Sequence, residues 1–322
     1  MSEFDLIQRY FTRPTPSATL GVGDDAALLR VSDGMELAVS TDMLVSGTHF
    51  FADADPFLLG HKTLAVNLSD LAAMGATPRW ATLALSLPEV NESWLAQFSR
   101  GFFSLAEQHA VDLVGGDTTR GPLTLSVTIM GEVRKDLALR RDSAQVDDDI
   151  WVSGMLGEAA LALRHLQGRI SLPAALFSSC AIRLHQPQPR IKLGLALRGI
   201  ARSAIDISDG LLADLGHILD CSKVGAEIEF DTLHAMLETK QSVLAPGDIS
   251  LVQQCVFAGG DDYELCFTAP HSRFAEIQQL AAQLSLPLTR IGKIISSPGC
   301  KVMAKDGSSM HIKDSGYDHF AS

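Results

Sequence analysis

Positive charge is scarce in this chain: 26 Lys and Arg stand against 38 Asp and Glu, a formal net charge of -12. A general nucleic-acid binder needs a basic footprint for the phosphates, so that class is excluded. Cysteine is sparse too, with five widely spaced residues (Cys180, Cys221, Cys255, Cys266 and Cys300) and no Cys-x-x-Cys pair. Such a set makes neither a disulfide framework nor a zinc site, and reads as reduced, mostly buried thiols. No apolar run approaches the ~18 residues of a membrane span. The N-terminal MSEFDLIQRYF carries acids early, with no apolar stretch ahead of small residues, so neither a signal peptide nor a membrane partner is expected and the protein is placed in the cytoplasm. There is no fixed-period repeat and no low-complexity segment. G-x-x-x-x-G-K-[ST] is absent, which excludes a P-loop enzyme, as are the H-R-D and D-F-G of protein kinases. Gly21-Val22-Gly23-Asp24-Asp25-Ala26 fits G-x-G-x-x-A in form only. No strand precedes it, and two acids stand where a pyrophosphate needs backbone donors.

What is present is a globular composition, 46% apolar and 20% charged over 322 residues, long enough for roughly two domains of ~150 residues. Strand-like and helix-like patterns alternate. Residues 36–41 read as a strand with an abrupt acidic end at Asp42, and His61 to Met74 as a helix with Leu64, Leu68 and Leu71 at spacings of four and three. Strands follow over 80–87 and 123–133, a helix over 92–110, and a short strand over 111–114 that runs into Gly115-Gly116-Asp117. Asp147-Asp148-Asp149 breaks the pattern. Beyond it, strands are predicted over 150–153, 203–207, 265–268 and 288–294, and helices over 157–166, 211–219 and 273–284. The fold class is α/β with mixed sheets, in two units joined by a charged link near 135–149.

Placement of the acids is the informative feature. Asp24, Asp25, Asp42, Asp70, Asp117, Asp206, Asp209, Asp261, Asp262 and Glu264 recur where an element changes type. Asp is a good cap and turn residue, so half of these have a structural reading, with Ser208 or Asp209 as a helix N-cap. Asp70 resists that reading. It lies mid-helix on a stripe with Thr63 and Asn67, beside the apolar Leu64-Leu68-Leu71 stripe, and a carboxylate bordering a buried face needs a partner. Lys62 and Arg120 are the nearest cations in these segments, too few to neutralise the set. Crowded carboxylates raise one another's pKa unless a cation compensates. Mg²⁺ suits hard oxygen ligands and substrate phosphates, so the residues point to a multi-Mg²⁺ site serving a polyphosphate. His49 and His61 are single and lack zinc-ligand spacing. Arg120 and Arg141 are both candidate phosphate clamps, Arg141 with the alternative of a solvated linker charge in Leu139-Arg140-Arg141-Asp142.

Seven segments in order, GVGDDAALL, STDMLVSGTHF, KTLAVNLSDLAAMGATPRW, GGDTTRGPL, AIDISDGLLADLGHI, GGDDYELCFT and GYDHF, resemble the thiamine-monophosphate kinase family. The enclosing superfamily is that of aminoimidazole-ribonucleotide synthetase and selenophosphate synthetase. The resemblance runs from residue 4 to residue 320. It implies an enzyme that uses ATP to phosphorylate thiamine monophosphate to thiamine diphosphate, with several Mg²⁺ ions. It also implies an N-terminal ATP- and Mg-binding domain (1–140) that dimerises through its strands into a shared β-barrel, and a C-terminal α/β domain (141–322) that completes the site. By motif match, Asp25, Ser40, Thr41, Asp42, Asp70, Asp117, Asp206 and Asp209 resemble the Mg²⁺ ligands. Gly116, Asp117, Arg141 and Ser208 resemble the ATP contacts, and His49, Asp261 and Tyr317 the contacts to thiamine phosphate. Phosphoryl transfer then rests on Asp42, Asp117, Asp206 and Arg141. The family usually has Glu where this chain has Asp261, one methylene shorter, and His109 stands where some members carry an aromatic near the adenine. Alternatives are another ATP-using synthetase of the superfamily, or a non-catalytic nucleotide- and metal-binding homologue. Selenophosphate synthetase lacks support, because the first cysteine here is Cys180.

Overall fold

Two mixed sheets organise the chain in the computed structural model, which describes residues 2–233, 235, 249–310, 312, 316, 317 and 320. Packing divides it into two units, Met1–Leu71 with Ala76–Ala138, and Ala72–Gly75 with Leu139–Ser322. Among the described residues no helix is long and apolar enough to cross a membrane.

The first unit begins with the short helix α1 (Glu3–Leu6), followed by β1 (Met35–Val45), α2 (Pro56–Ala73), β2 (Thr77–Leu87), α3 (Glu92–Gln108), β3 (Asp112–Arg120) and β4 (Thr124–Arg134). Its open sheet has the order β1-β4-β2-β3, antiparallel except for the parallel pair β2–β3. Two sequence expectations are corrected here. β1 does not stop at Asp42, because Asp42 sits in register with Val127 of β4 and the ladder continues to Val45. Gly115-Gly116-Asp117 does not follow β3 but lies within it, since Gly115, Gly116 and Asp117 pair with Thr82, Leu83 and Ala84 of β2. Helix α2 also starts five residues before His61. Asp55 caps it by accepting the Leu58 N–H at 3.0 Å, and Pro56, which has no N–H to leave unsatisfied, opens the first turn. Asn91 caps α3 in the same way through the Trp94 N–H at 3.0 Å.

Helices α2 and α3 touch through reciprocal glycines. A Cβ on Gly60 would collide with the Phe98 carbonyl, and one on Gly101 with the Phe57 carbonyl. The contact is therefore backbone to backbone, and it buries Leu64, Leu68, Leu95, Phe98 and Phe102. Both helices thus carry a glycine where helix propensity alone would disfavour one.

The second unit comprises β5 (Asp148–Ser153), α4 (Glu158–Leu166), α5 (Ala174–His185), α6 (Ile191–Ala196), β6 (Ser203–Asp206), α7 (Leu211–Ser222), β7 (Gly225–Glu229), α8 (Ile249–Ala258), β8 (Leu265–Pro270), α9 (Phe274–Leu284), β9 (Leu288–Ile295), β10 (Gly299–Met303) and β11 (Ser309–Met310). Its sheet order is β11-β10-β7-β9-β5-β8-β6, with β7 and β10 parallel and every other pair antiparallel. Ile150, Val152, Leu161, Ile205, Leu211, Leu215, Ile218 and Ile291 share its core. Asp147-Asp148-Asp149 is not a clean break: Asp148 and Asp149 are the buried first residues of β5. Arg202 lies 3.3 Å from Asp148, and Asp149 takes Arg290 at 2.7 Å and His271 at 2.8 Å. The cations come from distant sequence, so the local pattern could not show them.

The buried Glu264 of this unit is also paired. Arg190 forks onto Glu264, with Nε 2.6 Å from Oε2 and a terminal nitrogen on Oε1. The Ser153 hydroxyl donates to Glu264 Oε2 at 2.5 Å and accepts the Leu265 N–H at 2.9 Å. Gly154, at φ +61°, leaves room for that carboxylate where any side chain would collide.

This packing sets the expected stability of three variants. Arg190→Met leaves Glu264 buried without its cation and is expected to destabilise the fold by about 3–5 kcal/mol, read as a lowered urea midpoint. Gly101→Ala forces a methyl onto the Phe57 carbonyl and is expected to cost at least ~1–3 kcal/mol. In contrast, Gly216→Ala in α7, where an added Cβ meets nothing within 4 Å, should gain about 0.5–1 kcal/mol. The same melt checks both glycine variants, and equal shifts would contradict the close helix contact.

Candidate active site

In the first unit the expected residues gather where β1 meets the polar stripe of α2. Strand alternation places Ser40 and Asp42 on one face of β1 and Thr41 on the other. The Ser40 hydroxyl donates to Asp70 Oδ2 at 2.5 Å, which supplies the partner that a half-buried mid-helix carboxylate needs. The Asp42 N–H donates to Asn67 Oδ1 at 3.1 Å, and Asn67 Nδ2 donates to the Thr63 carbonyl at 3.0 Å. Asn67 and Thr63 are buried, so the Thr63-Asn67-Asp70 stripe holds β1 through polar contacts beside the apolar one. Thr41 points the other way and shares a hydrogen bond with Thr128 at 2.8 Å.

The remaining first-unit residues lie on neighbouring segments. His49 follows β1, and its Nδ1 accepts the Val45 N–H at 3.0 Å. A neutral ring held this way carries its proton on Nε2. Gly116 and the exposed Asp117 lie in β3, where a side chain at 116 would collide with the Leu83 carbonyl. Only glycine permits that approach of β3 to β2. Asp25 is exposed in the turn closed by the Leu20–Leu28 bridge, its N–H on Asp24 Oδ1 at 3.0 Å. Arg120 ends β3 and lines a cavity of about 480 Å³ with Leu6, Leu87 and Val90. His109 is the C-cap residue of α3.

In the second unit the organising element is the loop from Ile207 to Gly210. Asp206 ends β6 and is buried. The expectation that Ser208 or Asp209 caps α7 is corrected: the N-cap is Gly210, at φ +127°, with no side-chain cap. The capping work falls to Asp214, inside the first turn, whose Oδ2 accepts the N–H groups of Ser208, Asp209 and Gly210 at 3.0, 3.1 and 3.1 Å. Burial pushes the Asp214 carboxyl up to about 7, with repulsion from Asp209 adding to it and the backbone donors opposing. Sequence reasoning missed Asp214. Its signal was an acid in the first turn of a helix that lacks a side-chain cap.

Asp261 is brought to the same loop. Its N–H donates to the Ser208 carbonyl at 2.9 Å, and the Tyr263 N–H to the Ile207 carbonyl at 2.8 Å. The Tyr263 hydroxyl donates to Asp261 Oδ1 at 3.2 Å. Tyr317, about half exposed, donates its N–H to the Asp209 carbonyl at 3.0 Å. Arg141 is exposed, and its carbonyl accepts the Ser222 hydroxyl at 2.8 Å. The neighbouring Arg140 instead forks onto Asp142, at 2.9 and 2.5 Å.

Two acids of the sequence set have internal duties. Glu264 belongs to Arg190, and the buried Asp262 accepts the Gly157 N–H at the start of α4 at 2.9 Å. Burial, with Glu264 and Asp261 nearby, pushes the Asp262 carboxyl well above the usual range, against the pull of that N–H. Among the described residues no three Asp, Glu, His or Cys side chains form a metal cluster. The donors that do meet, the Ser40 hydroxyl and the Asp70 carboxylate, are hard oxygens of the kind Mg²⁺ takes and zinc does not favour.

Known proteins resemble this chain in sequence and fold. Residues 23–133 match the family model described as AIR synthase related protein, N-terminal domain. Thiamine-monophosphate kinase of Escherichia coli (strain K12) is 44% identical over 329 residues, covering 99% of this chain and 98% of that protein. The crystal structure of thiamine-monophosphate kinase from Stenotrophomonas maltophilia K279a is 49% identical, with a TM-score of 0.83 over 95% of this chain and 96% of that one. AaThiL complexed with AMPPCP and TMP is 29% identical, with a TM-score of 0.78 over 98% of this chain and 96% of that one. A relative at 44% identity along virtually the full length of both chains is decisive: this chain belongs to the thiamine-monophosphate kinase family.

Proposed function

We propose that this chain transfers the γ-phosphoryl group of ATP to the phosphate of thiamine monophosphate, releasing thiamine diphosphate and ADP. The observation that carries the reading is the full-length identity to thiamine-monophosphate kinases, together with oxygen-bearing side chains at the positions that resemble the Mg²⁺ ligands. The complex of AaThiL with AMPPCP and TMP supports the same substrate pair.

The chemistry asks little of a base. A phosphate monoester has a second pKa near ~6, so the acceptor is largely dianionic at neutral pH and needs no deprotonation to attack. That agrees with a sequence that offers no convincing His-Asp dyad. The obstacle is repulsion between two polyanions, and direct in-line transfer then rests on positioning and electrostatics. Asp25, Ser40, Asp42, Asp70, Asp117, Asp206 and Asp209 would hold Mg²⁺ through their side chains, and Thr41, whose hydroxyl is turned to Thr128, would have its main chain to offer; the metal when bound neutralises phosphate charge and orients the transferring group. Arg141 and Ser208, with the backbone at Gly116, would hold the nucleotide. His49 offers its Nε2 proton to an acceptor oxygen. Asp261 offers a carboxylate to the cationic thiazolium, and Tyr317 offers an aromatic face.

The domain roles follow the same assignment, with residues 1–140 binding ATP and Mg²⁺ and residues 141–322 completing the site. We place the enzyme in the cytoplasm, where its five thiols stay reduced. A homodimer is proposed through β1. This edge strand exposes Leu37, Val39 and Met43 on the face opposite Ser40 and Asp42, and apolar edges of this kind are normally covered. The inner strands β2 and β4, whose apolar residues are mostly buried, offer no comparable surface.

Phosphorus NMR of the chain with Mg·ATP and thiamine monophosphate is expected to show ADP and a diphosphorylated thiamine; ATP hydrolysis independent of thiamine monophosphate would refute the kinase reading. Asp42→Asn and Asp117→Asn are each expected to lower kcat by on the order of a hundred- to a thousandfold, with an unchanged circular dichroism melt. Val39→Lys should yield a monomer by sedimentation velocity, and an unaltered dimer would remove β1 from the interface.

A further inference from the structure

The loop from Ile207 to Gly210 is gripped from two sides. On one side Asp214, only 3% exposed, collects three consecutive backbone N–H groups on a single carboxylate oxygen. Three donors converging on one atom leave the loop little rotational freedom, a tighter restraint than the single hydrogen bond of an ordinary cap. On the other side the carbonyls of Ile207, Ser208 and Asp209 are each taken by the N–H of Tyr263, Asp261 and Tyr317 in turn. Two glycines allow the approach. A Cβ on Gly260 would collide with the Ser208 carbonyl, and one on Gly316 would stand 2.5 Å from the Ala213 Cβ. Asp261 and Tyr263 themselves adopt left-handed backbone, at φ +66° and +50°, a conformation unfavourable to both residue types that the loop contacts sustain.

We infer that Asp214 is a positioning residue that keeps the nucleotide-side groups Ser208 and Asp209 in register with the acceptor-side groups Asp261 and Tyr317. The inference rests on the kinase reading. Every group in it reaches the loop through backbone hydrogen bonds, so a displacement of the loop carries both sets together. Asp214 touches neither substrate and acts only through the main chain it holds. A buried carboxylate unconnected with the site would affect folding alone.

Steady-state kinetics of the full-length chain test this, with thiamine monophosphate and Mg·ATP varied separately. Asp214→Asn is expected to raise KM for both substrates about tenfold while the variant still melts cooperatively. Asp261→Ala should raise KM for thiamine monophosphate alone, and Ser208→Ala for Mg·ATP alone. In the double variant Asp214→Asn with Asp261→Ala, the rise for thiamine monophosphate should fall short of the product of the single effects, because Asp261 is already displaced. Unchanged KM values with only a lower melting temperature, or fully multiplicative effects, would overturn the inference. If Asp214→Asn does not fold, Gly260→Ala presses on the Ser208 carbonyl from the opposite side and should produce the same paired rise; a rise for thiamine monophosphate alone would overturn it. A native chain that leaves thiamine monophosphate unphosphorylated overturns the kinase reading and this inference with it. A native chain that turns over while the variants behave independently overturns only the inference.

Discussion

A carboxylate withdrawn from water must find a donor, and in a chain with twelve more acids than bases that requirement shapes both units. The arginines answer part of it. Glu132 takes Arg79, Asp148 takes Arg202, Glu158 takes Arg183, Asp149 takes Arg290 and Glu264 takes Arg190. In each pair the acid is almost wholly buried and the arginine reaches in from a more exposed position. Backbone N–H groups answer another part, at Asp214 and Asp262. Among the acids of the motif positions, Asp25 and Asp117 are exposed, and Asp70 accepts the Ser40 hydroxyl. The acids neutralised by arginine or by backbone N–H groups in these pairs are thus ones that build the fold.

Much of this was legible in the residues because it is local. The 3.6-residue spacing of Leu64, Leu68 and Leu71 marked α2, and the place of Asp70 beside that stripe announced a partner before Ser40 was known to be it. The alternation of small and apolar residues marked β2 and β4. What escaped was set by distant chain. β1 runs past Asp42 because β4 supplies a ladder, and Asp148-Asp149 joins a strand because Arg202 and Arg290 arrive from elsewhere. Helices α5 and α6 and strands β7, β10 and β11 passed unread, their patterns too short or too weakly periodic to stand out. GYDHF, one of the matched segments, lies only partly within the described residues.

The site was legible to a different degree. Residue types and order pointed to polyphosphate chemistry, and the resemblance supplied roles. Neither could tell which carboxylates the core engages, so the buried Asp262 and Glu264 entered the same set as the partly exposed Asp261. The difference lies in Gly157 and Arg190, which are about a hundred and about seventy residues away in sequence. Asp214 was overlooked for the opposite reason. An acid in a helix's first turn is common enough to pass as a routine helix-dipole partner, and only the convergence of three N–H groups distinguishes it.

Strand β1 carries two kinds of information at once. Its even-numbered positions from 40 to 42 meet α2 through Asn67 and Asp70, while its odd-numbered Leu37, Val39 and Met43 face solvent. Side-chain period in a strand is two, so shifting the register by one residue exchanges the faces. One residue inserted or deleted between Met35 and Ser40, with the start of β1 held in place against β4, would shift the following residues by one and turn apolar side chains towards Asn67 and Asp70 and hydroxyl and carboxylate groups outward. The length of this segment is consequently a stricter constraint than its composition: a conservative substitution changes one side chain, whereas a change of one residue in length exchanges the faces of all that follow.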